Sequence, residues 1–245
     1  MDNSQAMNNC IYNILYTQFN EDFGIDSFFA YNLQYPIFYN FKNESFNVNQ
    51  SILNNINSVL KTDAYTFKNG VLEEEQEYNN TATQNSLPKQ VYRVMVTYAV
   101  TFNKNHILST ILSLTGFSGV PGTKYNDLYN YNYDLLTGNR IMLKDIFNEG
   151  VDYIKVINDY VNYKISQNKD LYYPGTVVDI PADQAFYLTD DGLVVYFGDD
   201  EIAPASFGIP KFKLSFSKFA PYINSRFYCD VQNIARRNFR YNKRG

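Results

Sequence analysis

Hydrophobic and polar positions recur in two rhythms along the chain. Residues 10–18 mix Ile, Tyr and Leu in a strand-like way, and residues 28–38 form an extended aromatic run. Pro36 within that run points to an edge or a strand end. Val48, Ile52, Leu53, Ile56, Val59 and Leu60 then fall at helical spacing with Asn at outward positions, and Asn47 or Asn49 is placed to cap the helix. Residues 71–89 lose the rhythm, being acidic at Glu73, Glu74, Glu75 and Glu77 and Asn/Thr-rich afterwards. They read as a solvated loop or an edge-strand face, because nothing fixes the four carboxylates around a cation.

From residue 90 to 115 the pattern is a long hairpin. Val91, Val94, Val96, Tyr98, Val100 and Phe102 lead to a turn at Asn103-Lys104-Asn105, and residues 107–114 return. The lone histidine, His106, sits beside that turn and reads as a surface residue. Gly116, Gly119, Pro121 and Gly122 mark residues 115–127 as a loop. A Tyr/Asn-alternating strand over 128–135, the tight turn Thr137-Gly138-Asn139 and a short helix from Leu143 to Phe147 follow. A second amphipathic helix carries Ile154, Ile157, Val161 and Ile165 on one face. Asp190-Asp191-Gly192 closes a second hairpin in which Phe186, Leu188, Val194 and Tyr196 are the expected cross-strand partners. A strand over 212–216 leads to a short helix capped by Ser217.

This order predicts an α+β fold of antiparallel sheets with two main helices. We divide it into an N-terminal β-α-β-β subdomain over 10–115, a C-terminal α+β subdomain over 116–223 packed on it, and an extension with a basic tail over 224–245. Composition supports a packed chain: 23 Tyr and 19 Phe among 245 residues bury too much apolar area for a disordered one. No apolar run approaches the roughly 20 residues that cross a bilayer as a helix.

Charge is unevenly placed. Arg236, Arg237, Arg240, Lys243 and Arg244 crowd the last fifteen residues, leaving 16 cations against 25 acids, about −9, in the body. Nucleic-acid binders place their basic charge on a folded face, so none is expected as a partner here. The tail reads as a solvated arm or as a docking segment for an acidic surface. Cys10 and Cys229 lack the spacing of a metal or redox site; they are buried free thiols or a bridge worth about 5 kcal/mol in the chain-entropy model. Residues 1–15 have no export signal. The expectation is a cytoplasmic protein, or an extracytoplasmic one if the chain is a mature form.

Three groups of residues carry a family resemblance. They are Tyr133-Asp134-Leu135-Leu136-Thr137-Gly138-Asn139 with Leu143-Lys144-Asp145-Ile146-Phe147, the run from Asp183 to Leu193, and Glu201-Ile202-Ala203-Pro204 with Gly208. Together they resemble the RsiV-like family, and Tyr35-Pro36 leading to the helix around Ile52 matches its N-terminal part in outline. That family covers the lysozyme-sensing ectodomain of anti-sigma-V factors and a non-catalytic module attached to some bacterial polysaccharide deacetylases. The resemblance spans residues 28–223 and implies a binding module whose partner is a basic protein such as lysozyme, or a cell-wall glycan. Many members carry a Gly-Gly-Ala-His-like motif after the long hairpin; this chain has Phe117-Ser118-Gly119-Val120-Pro121-Gly122, so ligand identity does not carry over with the fold.

The residues themselves agree with a non-catalytic reading. One histidine at a turn makes a Ser-His-Asp triad or a His-based metal site improbable, and no phosphate loop, dinucleotide fingerprint or HExxH is present. No cofactor or metal is expected. A carboxylate-based hydrolase would have to draw on Asp190, Asp191, Asp199, Asp200 and Glu201, where turn and strand-end roles already account for the acids. Recognition is placed on two Gly/Pro-shaped loops, at Phe117, Ser118, Gly119 and Tyr125, and at Pro204, Ser206 and Phe207. A structural, self-assembling role in a cell envelope or spore layer is the alternative.

Overall fold

The computed structural model describes residues 15–41, 47–119 and 123–228; Cys10, Cys229 and the basic residues near the C-terminus lie outside them. The fold is α+β. β1 (Leu15–Ile25) and β2 (Phe29–Asn40) form a hairpin in unbroken register, closed by Asp26, whose Oδ1 accepts the Phe28 and Phe29 N–H groups at 2.8 Å. Helix α1 (Gln50–Gln84) follows, then β3 (Tyr92–Lys104), β4 (Ile107–Phe117) and β5 (Thr123–Asp134). The five strands form one sheet in chain order. All pairs are antiparallel except β2–β3, which run parallel from Phe29↔Tyr92 to Leu33↔Val96. That exception follows from α1, which is long enough to carry the chain back to the starting end of the sheet. The expected boundary at 115/116 falls inside β4, near its end, and β5 beyond it belongs to the same sheet.

α1 corrects the reading of residues 71–89 as loop or edge strand, since the helix runs unbroken to Gln84. Asn49 is its N-cap, with Oδ1 accepting the Ser51 N–H at 2.9 Å. The buried stripe continues as Val71, Glu75, Asn79 and Ala82, at helical spacing but with polar residues in two buried places, which hides the period. Where β2 parts from β3, Asn57 of α1 replaces the missing strand: its Oδ1 accepts the Phe38 N–H at 2.8 Å and its Nδ2 donates to Phe38 O at 3.0 Å.

The second sheet orders β6 (Phe186–Thr189), β7 (Gly192–Tyr196) and β8 (Lys211–Ser215) antiparallel. A second long helix, α2 (Tyr153–Gln167), packs against it with Ile157, Val161 and Ile165 buried as expected. The short helix after β8 is a single turn, Phe216–Phe219, and Ser215 rather than Ser217 stands at its N-cap. Cross-strand partners also differ from expectation: Phe186 pairs with Val195 and Leu188 with Leu193, whereas Val194 and Tyr196 point to the other face. A two-residue turn fixes this register, and a shift of one residue exchanges the faces.

α1 covers one face of the large sheet, burying Leu53, Ile56 and Leu60 against Leu33, Val96 and Leu112. Each such side chain contributes about 1.5–3 kcal/mol. The small sheet covers the β3–β5 part of the large sheet, through Ile111, Leu128, Tyr187, Val194 and Tyr196 and with Phe102 of β3 in the core it shares with α2. A buried polar network stitches that seam. Ser109 Oγ donates to Asn132 Oδ1 at 2.7 Å, Asn132 Nδ2 donates to Phe186 O at 2.8 Å, and Leu188 N–H donates to Ser109 Oγ at 3.0 Å.

The outer edge of β5 is closed. Alternate residues along it are satisfied by Tyr196 Oη donating to Leu128 O (2.9 Å), Arg140 Nη2 to Asn130 O (2.6 Å), Ile141 N–H to Asn132 O (2.8 Å), and Asp134 N–H to Asn139 O (3.0 Å). Burial pushes the Tyr196 hydroxyl up to about 12, against the opposing hydrogen bond from Asn130. The 135–139 turn folds the chain back to do this. Gly138 holds φ +78° there, and a Cβ on it would come within 2.9 Å of Ile52 Cγ1.

Candidate recognition site

The first expected loop is built on α1. Phe117 ends β4, Ser118 and Gly119 follow, and Gly119 lies so close to the backbone at residues 90 and 91 that a Cβ would sit 3.2 Å from Val91 N. Gln90 is itself clamped by buried Asn79, which accepts its N–H at 2.8 Å and donates to its carbonyl at 2.9 Å. Asn79 also donates to buried Glu75 at 2.6 Å. Tyr125 stands edge-on to Phe67 of α1, and its hydroxyl donates to Glu74. The acidic cluster therefore supports this loop from a helix, a role hidden by reading it as solvated coil.

The second loop has its own supports. Phe207 N–H donates to Pro204 O at 2.7 Å, making a 3-10 turn over Ala205–Phe207 with Ser206 exposed. Asp200 anchors it, accepting the Ala205 N–H at 3.2 Å and the Tyr173 hydroxyl. The Phe207 ring lies 5.7 Å from Tyr172. Among the described residues no hydrogen bond or ring contact joins Phe117, Ser118, Gly119 and Tyr125 to Pro204, Ser206 and Phe207.

Two carboxylates bridge the gap. Asp127 lies on β5 two residues past Tyr125, and Asp199 lies in the turn after β7. Asp127 keeps an open side to solvent, yet burial of its inner side, and then the charge of Asp199, raise its carboxyl above the usual range. Asp199 Oδ1 is buried with no hydrogen-bond partner among the described residues. Tyr129 beside them is raised by burial and then by the charges of Asp127 and Asp63. No Lys or Arg pairs with either acid among the described residues.

The other candidate acids are committed elsewhere. Asp190 pairs with Lys104 at 2.7 Å, Asp191 with Lys213 at 2.8 Å, and Glu201 Oε2 accepts the Gly198 N–H at 2.5 Å. The acidic group near the second hairpin thus divides: Asp190 and Asp191 are paired with lysines, Asp200 and Glu201 accept neutral donors, and Asp199 Oδ1 has no donor among the described residues. Asp127 escaped the sequence reading because its partner is distant along the chain. His106 is half-buried in the β3–β4 turn with φ +61°, where burial and then Arg226 hold it below the usual imidazole range, with Asp134 opposing. A separate open cleft of about 360 Å³ lies between residues 15–17, residues 100–104 and Asp190. Its charged groups, Lys104 and Asp190, neutralise each other. No group of three His, Cys, Asp or Glu able to hold a metal occurs among the described residues, and no helix among them is long and apolar enough to cross a membrane.

Comparison with known proteins gives two matched segments. Residues 26–119, covering β2 to β4, match the family model "Deacetylase PdaC", and residues 144–217 match "Protein of unknown function (DUF3298)". The chain thus joins a segment similar to the first model to one similar to the second. A crystal structure of a DUF3298 family member from Bacteroides fragilis superposes with TM-score 0.62 at 15% identity, over 87% of this chain and 96% of that one. A DUF3298 family protein from Pseudomonas aeruginosa superposes with TM-score 0.52 at 12% identity, over 88% and 96%. At these identities the likeness is one of fold. No curated protein matches the chain. The PdaC and DUF3298 segments are consistent with a deacetylase-associated module, the coarser part of the expected resemblance.

Proposed function

We propose that the chain is a non-catalytic binding module of RsiV-like type that recognises a basic protein, lysozyme being the first candidate, across the two loops and the acidic seam between them. The observation that carries this reading is the Asp127–Asp199 pair. Two carboxylates that repel each other, one with a buried oxygen lacking a donor, gain from an incoming Lys or Arg what an already paired acid cannot. The body charge of about −9, from 16 cations against 25 acids, steers such a partner toward the surface. Calorimetric titration with a C-type lysozyme at low and physiological salt tests it. Binding is expected at both salts, weakened about tenfold in Asp199→Asn; absence of binding at low salt overturns it.

A second reading rests on the same pair. A carboxyl raised by burial beside a second carboxyl is the arrangement of a general acid and its partner, and the name of the matched PdaC model relates residues 26–119 to hydrolases. Release of products from peptidoglycan fragments, lost in Asp127→Asn, would favour it over recognition alone. Binding of those fragments without turnover would instead make the ligand a wall glycan.

A further inference from the structure

The small sheet leaves the β1–β2 end of the large sheet uncovered, and β1 is its free edge. Phe19, Phe23 and Ile25 stand 54%, 70% and 85% exposed along it. At its start, Leu15 is held by the Asn103 side chain. Beyond that, no strand pairs with its outer side among the described residues. Native edges refuse a further strand by being short, bulged, proline-bearing or lysine-bearing. β1 has eleven residues, unbroken register, and neither Pro, Lys nor Arg.

The charge on this hairpin selects the occupant. Residues 15–41 carry Glu21, Asp22 and Asp26 and no cation. Glu21 Oε1 accepts from Asn32 at 2.8 Å and Gln34 at 3.0 Å, and Oε2 has no partner among the described residues. A second copy of β1 would bring its own Glu21 and Asp22 alongside these, and like charges facing across strands are unfavourable. We propose that β1 is a strand-addition site for an extended polypeptide segment bearing Lys or Arg, which continues the large sheet by one strand. Backbone pairing supplies the affinity and cation pairing with Glu21 the preference. This surface lies at the opposite edge of the sheet from Asp127 and is independent of the lysozyme reading.

Hydrogen–deuterium exchange of the full chain tests it, alone and with a synthetic peptide of about nine residues alternating Val and Lys, matched to the length of the edge. The peptide is expected to slow exchange of β1 amides by about tenfold or more. A Val/Glu counterpart is expected to leave them unchanged. Phe23→Lys, which adds the missing edge cation, is expected to weaken binding of the Val/Lys peptide about tenfold. Equal protection by the two peptides, or protection by neither, overturns the proposal. So does protection of β1 already present in the free chain, where a second copy or the chain's own basic C-terminal residues would fill the edge; sedimentation at two concentrations tells these apart. None of these outcomes touches lysozyme binding, which Asp199→Asn reads separately.

Discussion

The two edges of the large sheet receive opposite treatment from the same chain. Along β5, carbonyls of Leu128, Asn130 and Asn132 are met by a tyrosine, an arginine and a backbone N–H, and the small sheet is bolted on through Asn132 and Ser109. Along β1, past the Asn103 clamp on Leu15, the outer side faces solvent with its aromatic side chains. An unpaired buried polar group costs about 1–3 kcal/mol, whereas an exposed one is satisfied by water. Closure is therefore needed where the second sheet excludes water and not where it stops short. Stability is concentrated at the β5 edge, and the capacity to take a further strand at the β1 edge.

Breaking the closed edge has the largest expected effect. Asn132→Ala removes the acceptor of Ser109 Oγ and the donor to Phe186 O in a site that water does not reach. A loss of about 3 kcal/mol is expected in urea unfolding; less than about 1 kcal/mol would mean that the seam is not held by this network. Gly138→Ala comes next. The turn needs φ +78° and has no room beside Ile52, so a loss of about 1–3 kcal/mol is expected from thermal melts.

How far these two edges were legible in the sequence follows from what sets them. Strand and helix periods showed α2, the second hairpin and the front of α1, where apolar residues occupy the buried positions. The back of α1 was illegible because Glu75 and Asn79 fill its inward positions, burial made tolerable by their bond to each other and to Gln90. β5 was shortened in the reading because Gly116, Gly119, Pro121 and Gly122 look like one continuous loop, whereas β4 extends to Phe117 and β5 begins at Thr123. The two loops proposed for recognition were chosen from their Gly, Pro and aromatic content. The acids between them were not legible, since the approach of Asp127 to Asp199 depends on how one sheet docks on the other. That β1 would be an open edge was equally invisible, because strand order is a long-range property.

A smaller effect is expected where the closed edge meets the chain just past residue 223. Arg226 Nη1 pairs with Asp134 Oδ2 at 2.8 Å at the end of β5. Burial pushes the Asp134 carboxyl up, but the Arg226 hydrogen bond and the Leu136 N–H outweigh it and hold the group below the usual range. A carboxylate with a depressed folded value adds stability above its unfolded value, about 3.9, and loses it as pH falls through the folded value. Arg226→Ala is expected to cost about 1 kcal/mol at neutral pH. The difference from wild type should shrink once Asp134 is protonated, as melts from pH 7 to 2 would show.

The smallest effect is the one expected at the open edge. Phe23 lies 70% exposed opposite Asn32 in the hairpin register, so little apolar area is lost when its ring is replaced. Phe23→Lys also brings a cation next to Glu21, which offsets part of the lost strand preference. Its stability in urea should stay within about 0.5 kcal/mol of wild type. A cost above about 1 kcal/mol would show that the ring is packed against something, and the contrast between the edges would fail on the β1 side. A neutral result combined with loss of peptide binding would separate the two properties in one residue: the edge adds nothing to the fold and is what a partner strand uses.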